Sequence, residues 1–407
     1  MDPTWDVLVA GAGPAGSAAA ALLAEAGHRV LVLEKETFPR FRIGESLLPA
    51  CLPVLDRLGV EPDPSTFVFK RGAEFVCEQT GRTHVFAFDE ALPGVPNHAW
   101  HVERPLFDTL LRDRAAALGA EVRHGETVVD VELGTEHVRV RTTTGTEDCR
   151  FFVDATGQTR LLARRLGSVR HLDLFGTSAA FTHYEGLGPA YAEVFGERFD
   201  IRIMIRPEGW GWIIPLPARR LSVGLVSRGK VSAEDLERGL LSGPLVTRLT
   251  AGARRLETRI VGNFSYENTA PHGARYATVG DAASFLDPVF STGVTLALRG
   301  AQGLAQVLGP ALEAGAEDRA DLLDEHGRSM NRAYRTFAAL IERFYHSNFV
   351  DSFFLRGMPD YDMRRGVMSV LAGDVWRTGN PFQEMLLSGR RQYGVSHFPP
   401  AAAAGGK

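Results

Sequence analysis

The stretch DVLVAGAGPAGSAAAALLAEAGHRVLVLE, residues 6–34, decides the fold. Its first five residues are a short apolar run that stops at a glycine, the pattern of a strand buried on both faces. Residues 17–28 are rich in strong helix formers, and Gly27 closes the helix. A second apolar run follows at 29–35, so strand, helix and strand make a βαβ unit. Gly11, Gly13 and Gly16 stand between the first strand and the helix. The first allows the tight turn, the second lets backbone approach a pyrophosphate, and the third lets the helix press on the strand. The helix N-terminus then faces the negative charge. Glu34 ends the second strand, where a carboxylate can hold ribose hydroxyls. A chance glycine turn would lack this setting. The unit predicts a dinucleotide site and leaves NAD and FAD open.

Working outward, a helix is predicted over 104–119, followed by strand-like segments and a buried strand in CRFFVDATG (149–157). From about 170 to 262 the pattern is β-rich. A helix follows at 295–308, and the last hundred residues are mostly helical, with Tyr334, Phe337, Ile341, Phe344 and Tyr345 at near-helical spacing. The expected organisation is a nucleotide domain from 1–75, 101–165 and 263–325 and a β-rich substrate domain from 76–100 and 166–262. A helical region covers 326–395, and 396–407 form a flexible, low-complexity tail.

The chain has 407 residues, 44% hydrophobic and 23% charged, with a net charge of -4. That balance gives no reason to expect nucleic acid or an anionic membrane as partner. No apolar run approaches the ~18 residues of a membrane span, and the first residues lack a signal-peptide pattern. The three cysteines, Cys51, Cys77 and Cys149, show neither metal-ligand spacing nor a disulfide framework. A reduced, cytoplasmic setting is expected. His98 and His101 are spaced i, i+3 without a companion carboxylate or cysteine pair, so no metal is expected.

Two later segments distinguish the cofactors. FVDATG (152–157) and VGDAASFLDP (279–288) resemble the FAD-contacting segments of glutathione-reductase-like flavoproteins. The resemblance implies an α/β fold: a glutathione-reductase-like FAD-binding Rossmann domain, an inserted β-sheet substrate domain and a helical C-terminal region. It puts Asp281 at the ribityl chain and, through HVERPLFDTLL (101–111), Arg104 near the flavin. GLGPAY (186–191) lacks a third glycine and a βαβ setting, so no dedicated NAD(P)H domain is expected.

Four further segments occur in the order seen in flavin-dependent halogenases: FPRFRIGESLLP (38–49), FKRGAEF (69–75), GWGWIIPL (209–216) and FLDPVFSTGV (285–294). The resemblance spans about residues 5–350 and is closest to the group acting on phenolic or pyrrolic rings. It implies that FADH2 and oxygen oxidise chloride or bromide to hypohalous acid, which travels to a lysine beside the substrate. That lysine would be Lys70. Arg40 and Ser46 would join the cofactor contacts. Trp210, Trp212, Pro215 and Pro288 would line the active site, and Ser291, Thr292 and Gly293 would hold the halide in a small anion-binding turn.

Each of these residues also has a plainer reading. A strand lysine beside Arg71 is commonly solvated, two indoles at period two are commonly core, and a Ser-Thr-Gly turn can serve a flavin without an anion. Phe290 stands where tryptophan-type halogenases carry a glutamate, which favours a phenol or pyrrole over free tryptophan. Arg42 replaces an uncharged residue or histidine. The expected partners are a separate NAD(P)H-dependent flavin reductase and a small aromatic substrate, free or on a carrier protein. The rival reading is an FAD-dependent monooxygenase or related reductase on the same scaffold. A non-catalytic flavin sensor is the third.

Overall fold

A computed structural model describes residues 3–77, 79–172, 175, 178–206, 209–262, 264–346 and 361–388. The tail expected over 396–407 lies outside the described residues. The quoted stretch folds as strand Trp5–Ala10, helix Pro14–Glu25 and strand Val30–Glu34. The two strands run parallel, with Val7 opposite Val30 and Ala10 opposite Leu33. They sit inside a sheet ordered His272–Gly273, Tyr276–Thr278, Thr146–Asp154, Trp5–Ala10, Val30–Glu34, Glu121–His124. Thus 146–154 and 276–278, far apart in sequence, complete the nucleotide sheet beside the first strand.

The helix begins with extended Gly13 as its cap and Pro14 in the first turn, where a missing N–H costs nothing. Its alanine-rich surface packs between helices Arg104–Ala117 and Thr292–Ala314. A Cβ added at Gly16 would lie 1.9 Å from the Gly11 carbonyl oxygen, so only glycine lets the helix close on the turn.

A second sheet runs Arg254–Arg255, Ser178–Glu185, Arg220–Ser227, Gly209–Leu216, Ile201–Arg206, Gly72–Cys77, Arg82–Ala87, with Arg259–Gly262 also on Ser178–Glu185. One face carries Phe181, Trp210, Trp212 and Ile214 in the core that also contains Phe337, Ile341 and Phe344 of helix Asp324–His346. The other face is covered by short helices at Ala190–Phe195, Ala233–Leu236 and Pro244–Thr250. Burial on both faces explains why GWGWIIPL shows no polar alternation. Helices Tyr361–Leu371 and Pro381–Ser388 pack on the first face. This is the α/β architecture expected, with a helical C-terminal region.

A two-stranded ribbon, Phe67–Lys70 against Ala99–Val102, leads from one sheet to the other. Immediately after Lys70 the chain turns into strand Gly72–Cys77 of the second sheet. A Cβ at Gly72 would stand 2.0 Å from the Phe86 carbonyl oxygen, so glycine is required where the chain crosses. The crossing places Lys70 at the junction of the two sheets.

Candidate active site

At the nucleotide end, Gly11 has φ +102°, and a Cβ there would meet the Ala155 carbonyl oxygen at 2.4 Å. Glu34 is fixed by backbone amides: Oε2 accepts from Ala12 at 2.9 Å and Oε1 from Glu36 at 3.0 Å. Arg40 donates to Asp108 at 2.9 Å and stands 3.8 Å from Glu34. Its Nη2 is 3.5 Å from the place a Gly13 Cβ would occupy, and its buried Nε has no hydrogen bond. A buried guanidinium aimed at the glycine turn fits the diphosphate of a dinucleotide. Arg104 grips both oxygens of Asp108 at 2.8 and 3.0 Å and the Ile43 carbonyl at 2.7 Å, bracing the loop that carries Arg40.

Asp281 follows Gly280, whose φ of +60° and bare Cα let the turn pack on Ala15. Burial pushes the Asp281 carboxyl up to about 6, against the pull of Arg104. One of its oxygens lies 4.0 Å from the position of a Gly293 Cβ, so the predicted ribityl contact adjoins the predicted halide turn. Gly11, Gly13, Gly16, Glu34, Arg40, Arg104 and Asp281 therefore form a continuous cradle suited to FAD.

Lys70 is 1% exposed. Its Nζ donates to Ser46 Oγ at 2.9 Å and to the Leu47 carbonyl at 3.0 Å, and it lies 5.2 Å from the Phe88 ring centre. Ser46, expected at the flavin, is thus the anchor of Lys70. Burial drives the amine down to about 7, with Asp200 and Cys51 drawing it partly back. In a neutral amine both N–H groups are then used, and the lone pair remains for a reagent. Lys70 lines a cavity of about 20 Å³ with Phe75, Phe86, Phe88, Phe290 and Ser291. That space suits one or two water-sized molecules, since a water needs roughly 10–15 Å³ on this measure.

The turn Pro288–Phe290 starts on Asp287, whose Oδ1 accepts from the Val289 amide at 2.9 Å. Ser291, at φ 56°, then caps the 23-residue helix Thr292–Ala314. Thr292 and Gly293 are its first residues, where amides have no carbonyl partner within the helix and the dipole favours an anion. Ser291 brings this turn to the Lys70 cavity; Phe290 lies in the same wall.

Trp210 and Trp212 project from one strand face with ring centres 5.8 Å apart. Trp212 donates to Ser222 Oγ at 3.0 Å, and its indole fills the space where a Gly224 Cβ would clash at 2.2 Å. Trp210 donates to the Tyr345 hydroxyl at 2.9 Å. Pro215 is buried one residue out of phase with the indoles, which at period two turns it to the opposite face. Pro288 opens the turn beside Asp287.

Sequence reasoning missed several partners. Asp108 follows Arg104 at i+4, a helical spacing that signals a pair. Buried His183 and Glu45 meet at 2.7 Å, 138 residues apart, with no local signal. Of the two histidines considered for metal, His101 Nε2 meets the Phe199 carbonyl at 2.8 Å and His98 stacks on Phe69. Among the described residues no three His, Cys, Asp or Glu side chains gather to hold a metal. Nor is any helix among them long and apolar enough to cross a membrane. Arg42 pairs with Glu36 at 2.8 Å.

Known proteins identify the family. The tryptophan halogenase family matches residues 6–96 and 89–367. A tryptophan 2-halogenase of Chondromyces crocatus is 31% identical over 361 residues, 84% of this chain and 68% of its own. A 1H-pyrrole-2-carbonyl-(peptidyl-carrier protein) chlorinase of Pseudomonas fluorescens is 30% identical over 409 residues, 92% of this chain and 90% of its own. The solved structure of the myxobacterial chondrochloren halogenase matches with a TM-score of 0.76 and 30% identity, covering 97% of this chain and 95% of that one. These matches show that the chain belongs to the flavin-dependent halogenases, FAD-dependent oxidoreductases that use chloride or bromide.

Proposed function

We propose that this enzyme halogenates an electron-rich phenolic or pyrrolic ring, free or tethered to a carrier protein, with Lys70 delivering the halogen. The observation that carries this reading is the shared cavity of Lys70 and Ser291, walled by phenylalanines. Phe290 makes that wall apolar where a carboxylate would favour a charged substrate, and the pyrrolyl chlorinase among the relatives supports the ring class.

Bound FADH2, with oxygen, supplies the oxidation that turns chloride or bromide into hypohalous acid. Gly11, Gly13, Gly16, Glu34, Arg40, Arg104 and Asp281 would hold that cofactor. The amides of Thr292 and Gly293 with the Ser291 hydroxyl hold the halide. Trp210 and Trp212, buried side by side, would hinder an organic ring from approaching the bound cofactor directly. Lys70, fixed by Ser46 and Leu47, either donates an N–H to hypohalous acid or, as the amine, exchanges one hydrogen for halogen and releases water. The ring then takes the halogen and returns its proton. A separate NAD(P)H-dependent flavin reductase supplies the FADH2.

The test is mass spectrometry of reactions holding enzyme, FAD, reductase, NADH and oxygen with a panel of phenols and pyrroles, with and without halide. A halide-dependent product with the matching isotope pattern, lost in Lys70→Ala while FAD binding persists, is expected. Oxygenated product formed equally without halide would mean a monooxygenase instead.

A further inference from the structure

Lys70 is one of only four lysines, with Lys35, Lys230 and Lys407, and it is buried without a salt bridge to its Nζ within 4 Å among the described residues. The halogenase site offers no carboxylate from the Ser-Thr-Gly turn, because Phe290 fills that position. A different buried carboxylate acts on the lysine electrostatically from beyond ion-pair distance. Asp200 is 6% exposed; its Oδ2 accepts from Arg198 at 2.7 Å, and its Oδ1 is sealed from solvent with no hydrogen bond.

Backbone contacts fix Asp200 beside the corner that carries Lys70. The Arg71 amide donates to the Arg198 carbonyl at 3.2 Å, and Ile201 pairs with Ala73 in the parallel ladder. His101, on the strand paired with Phe67–Lys70, holds the Phe199 carbonyl at 2.8 Å. Phe199 itself has φ 47°, a left-handed conformation that a bulky residue adopts only when its surroundings impose it. The strained residue turns the chain so that the next one, Asp200, is buried and Ile201 joins Lys70 in the cavity wall.

We propose that Asp200 is the counter-charge of Lys70, a positioning residue whose carboxylate sets how much of the buried lysine carries a proton when the oxidised halogen arrives. The inference rests on the role of Lys70 proposed above. Two further titratable groups face Lys70: Cys51, which favours its protonation, and His101, which is itself held neutral by burial and by the lysine charge. Burial pushes the Asp200 carboxyl up from its ordinary range; Arg198 and Lys70 favour its ionisation, and Glu74 opposes it. Without Asp200 the lysine falls further below its ordinary range, because only Cys51 is left to oppose burial. With it, both forms are accessible in the neutral range, the ammonium that donates to hypohalous acid and the amine that takes halogen.

The test is an NMR titration of the FAD-bound protein carrying lysine labelled with carbon-13 at Cε. Four lysines give four signals, and that of Lys70 is identified by its loss in Lys70→Met. The Lys70 midpoint is expected near neutrality in the wild type and lower by about one pH unit in Asp200→Asn. Asp200→Glu restores most of the shift. In turnover, the limb of the pH profile set by Lys70 moves to lower pH in Asp200→Asn, whichever form of the lysine is active. A midpoint unchanged in Asp200→Asn, with FAD still bound, overturns the proposal. Halogenation retained in Lys70→Ala would instead remove the lysine's role and leave the charge coupling standing.

Discussion

The Tyr345 hydroxyl donates to Asp287 Oδ2 at 2.8 Å while accepting from Trp210 Nε1 at 2.9 Å. One oxygen on helix Asp324–His346 therefore joins the indole strand to Asp287, which caps the Pro288–Phe290 turn leading into Ser-Thr-Gly. Tyr345→Phe keeps the ring and leaves the buried Trp210 N–H without this acceptor. A lost buried hydrogen bond costs about 1–3 kcal/mol. The turn loosens, so the KM for halide should rise roughly threefold to tenfold while the KM for the aromatic substrate changes little. Equal effects on both would mean that the tyrosine only supports the fold.

Lys70 gives stability a pH dependence of known sign. Its amine is lowered from 10.5 to about 7 in the folded protein, so between those values the unfolded chain binds more protons. Stability from this group therefore rises with pH across that window, by up to about 1.4 kcal/mol per pH unit. Relative to Lys70→Met, the wild type should gain about 1 kcal/mol in unfolding free energy between about pH 7.5 and 8.5. Urea unfolding at matched FAD excess measures this. A difference that stays flat with pH would show that the lysine keeps its proton when folded.

The parts legible in sequence are those whose chemistry is local. Gly11 and Gly16 are glycines because a Cβ at either would strike backbone, a constraint written into the turn itself. Lys70, Trp210 and Ser291 stand in compact segments whose order is informative. Their partners are not local. Asp108 meets Arg40 from 68 residues away, Asp287 meets Tyr345 across 58, and Lys70 finds its anchor in Ser46 across 24. Apart from the i+4 pair Arg104–Asp108, no local spacing says which group a buried base will meet. Tertiary packing of loops, helices and strands decides it.

Asp108 carries two buried guanidiniums, Arg40 and Arg104, on one carboxylate. Removing one member of a buried charge pair costs about 3–5 kcal/mol, because the other charge stays buried. Asp108→Asn should weaken FAD binding by about tenfold or more, seen as flavin fluorescence released on dilution. Asp113→Asn, an exposed acid on the same helix, should leave FAD bound. If both variants hold FAD like the wild type, the diphosphate does not depend on Arg40.

The Lys70 cavity is smaller than any aromatic ring, so its wall must yield to admit a substrate. Met368 and Leu371, from helix Tyr361–Leu371, form part of that wall and are buried. Met368→Ala removes side-chain volume there at a cost of about 2–5 kcal/mol. An enlarged apolar space takes up a small ring, and a ligand that binds only the folded state raises Tm. Benzene should therefore raise the Tm of Met368→Ala by more than that of the wild type. The variant should also turn over larger phenols relative to small ones. If benzene stabilises the wild type as much, the wall already opens in solution and Met368 does not set the size limit.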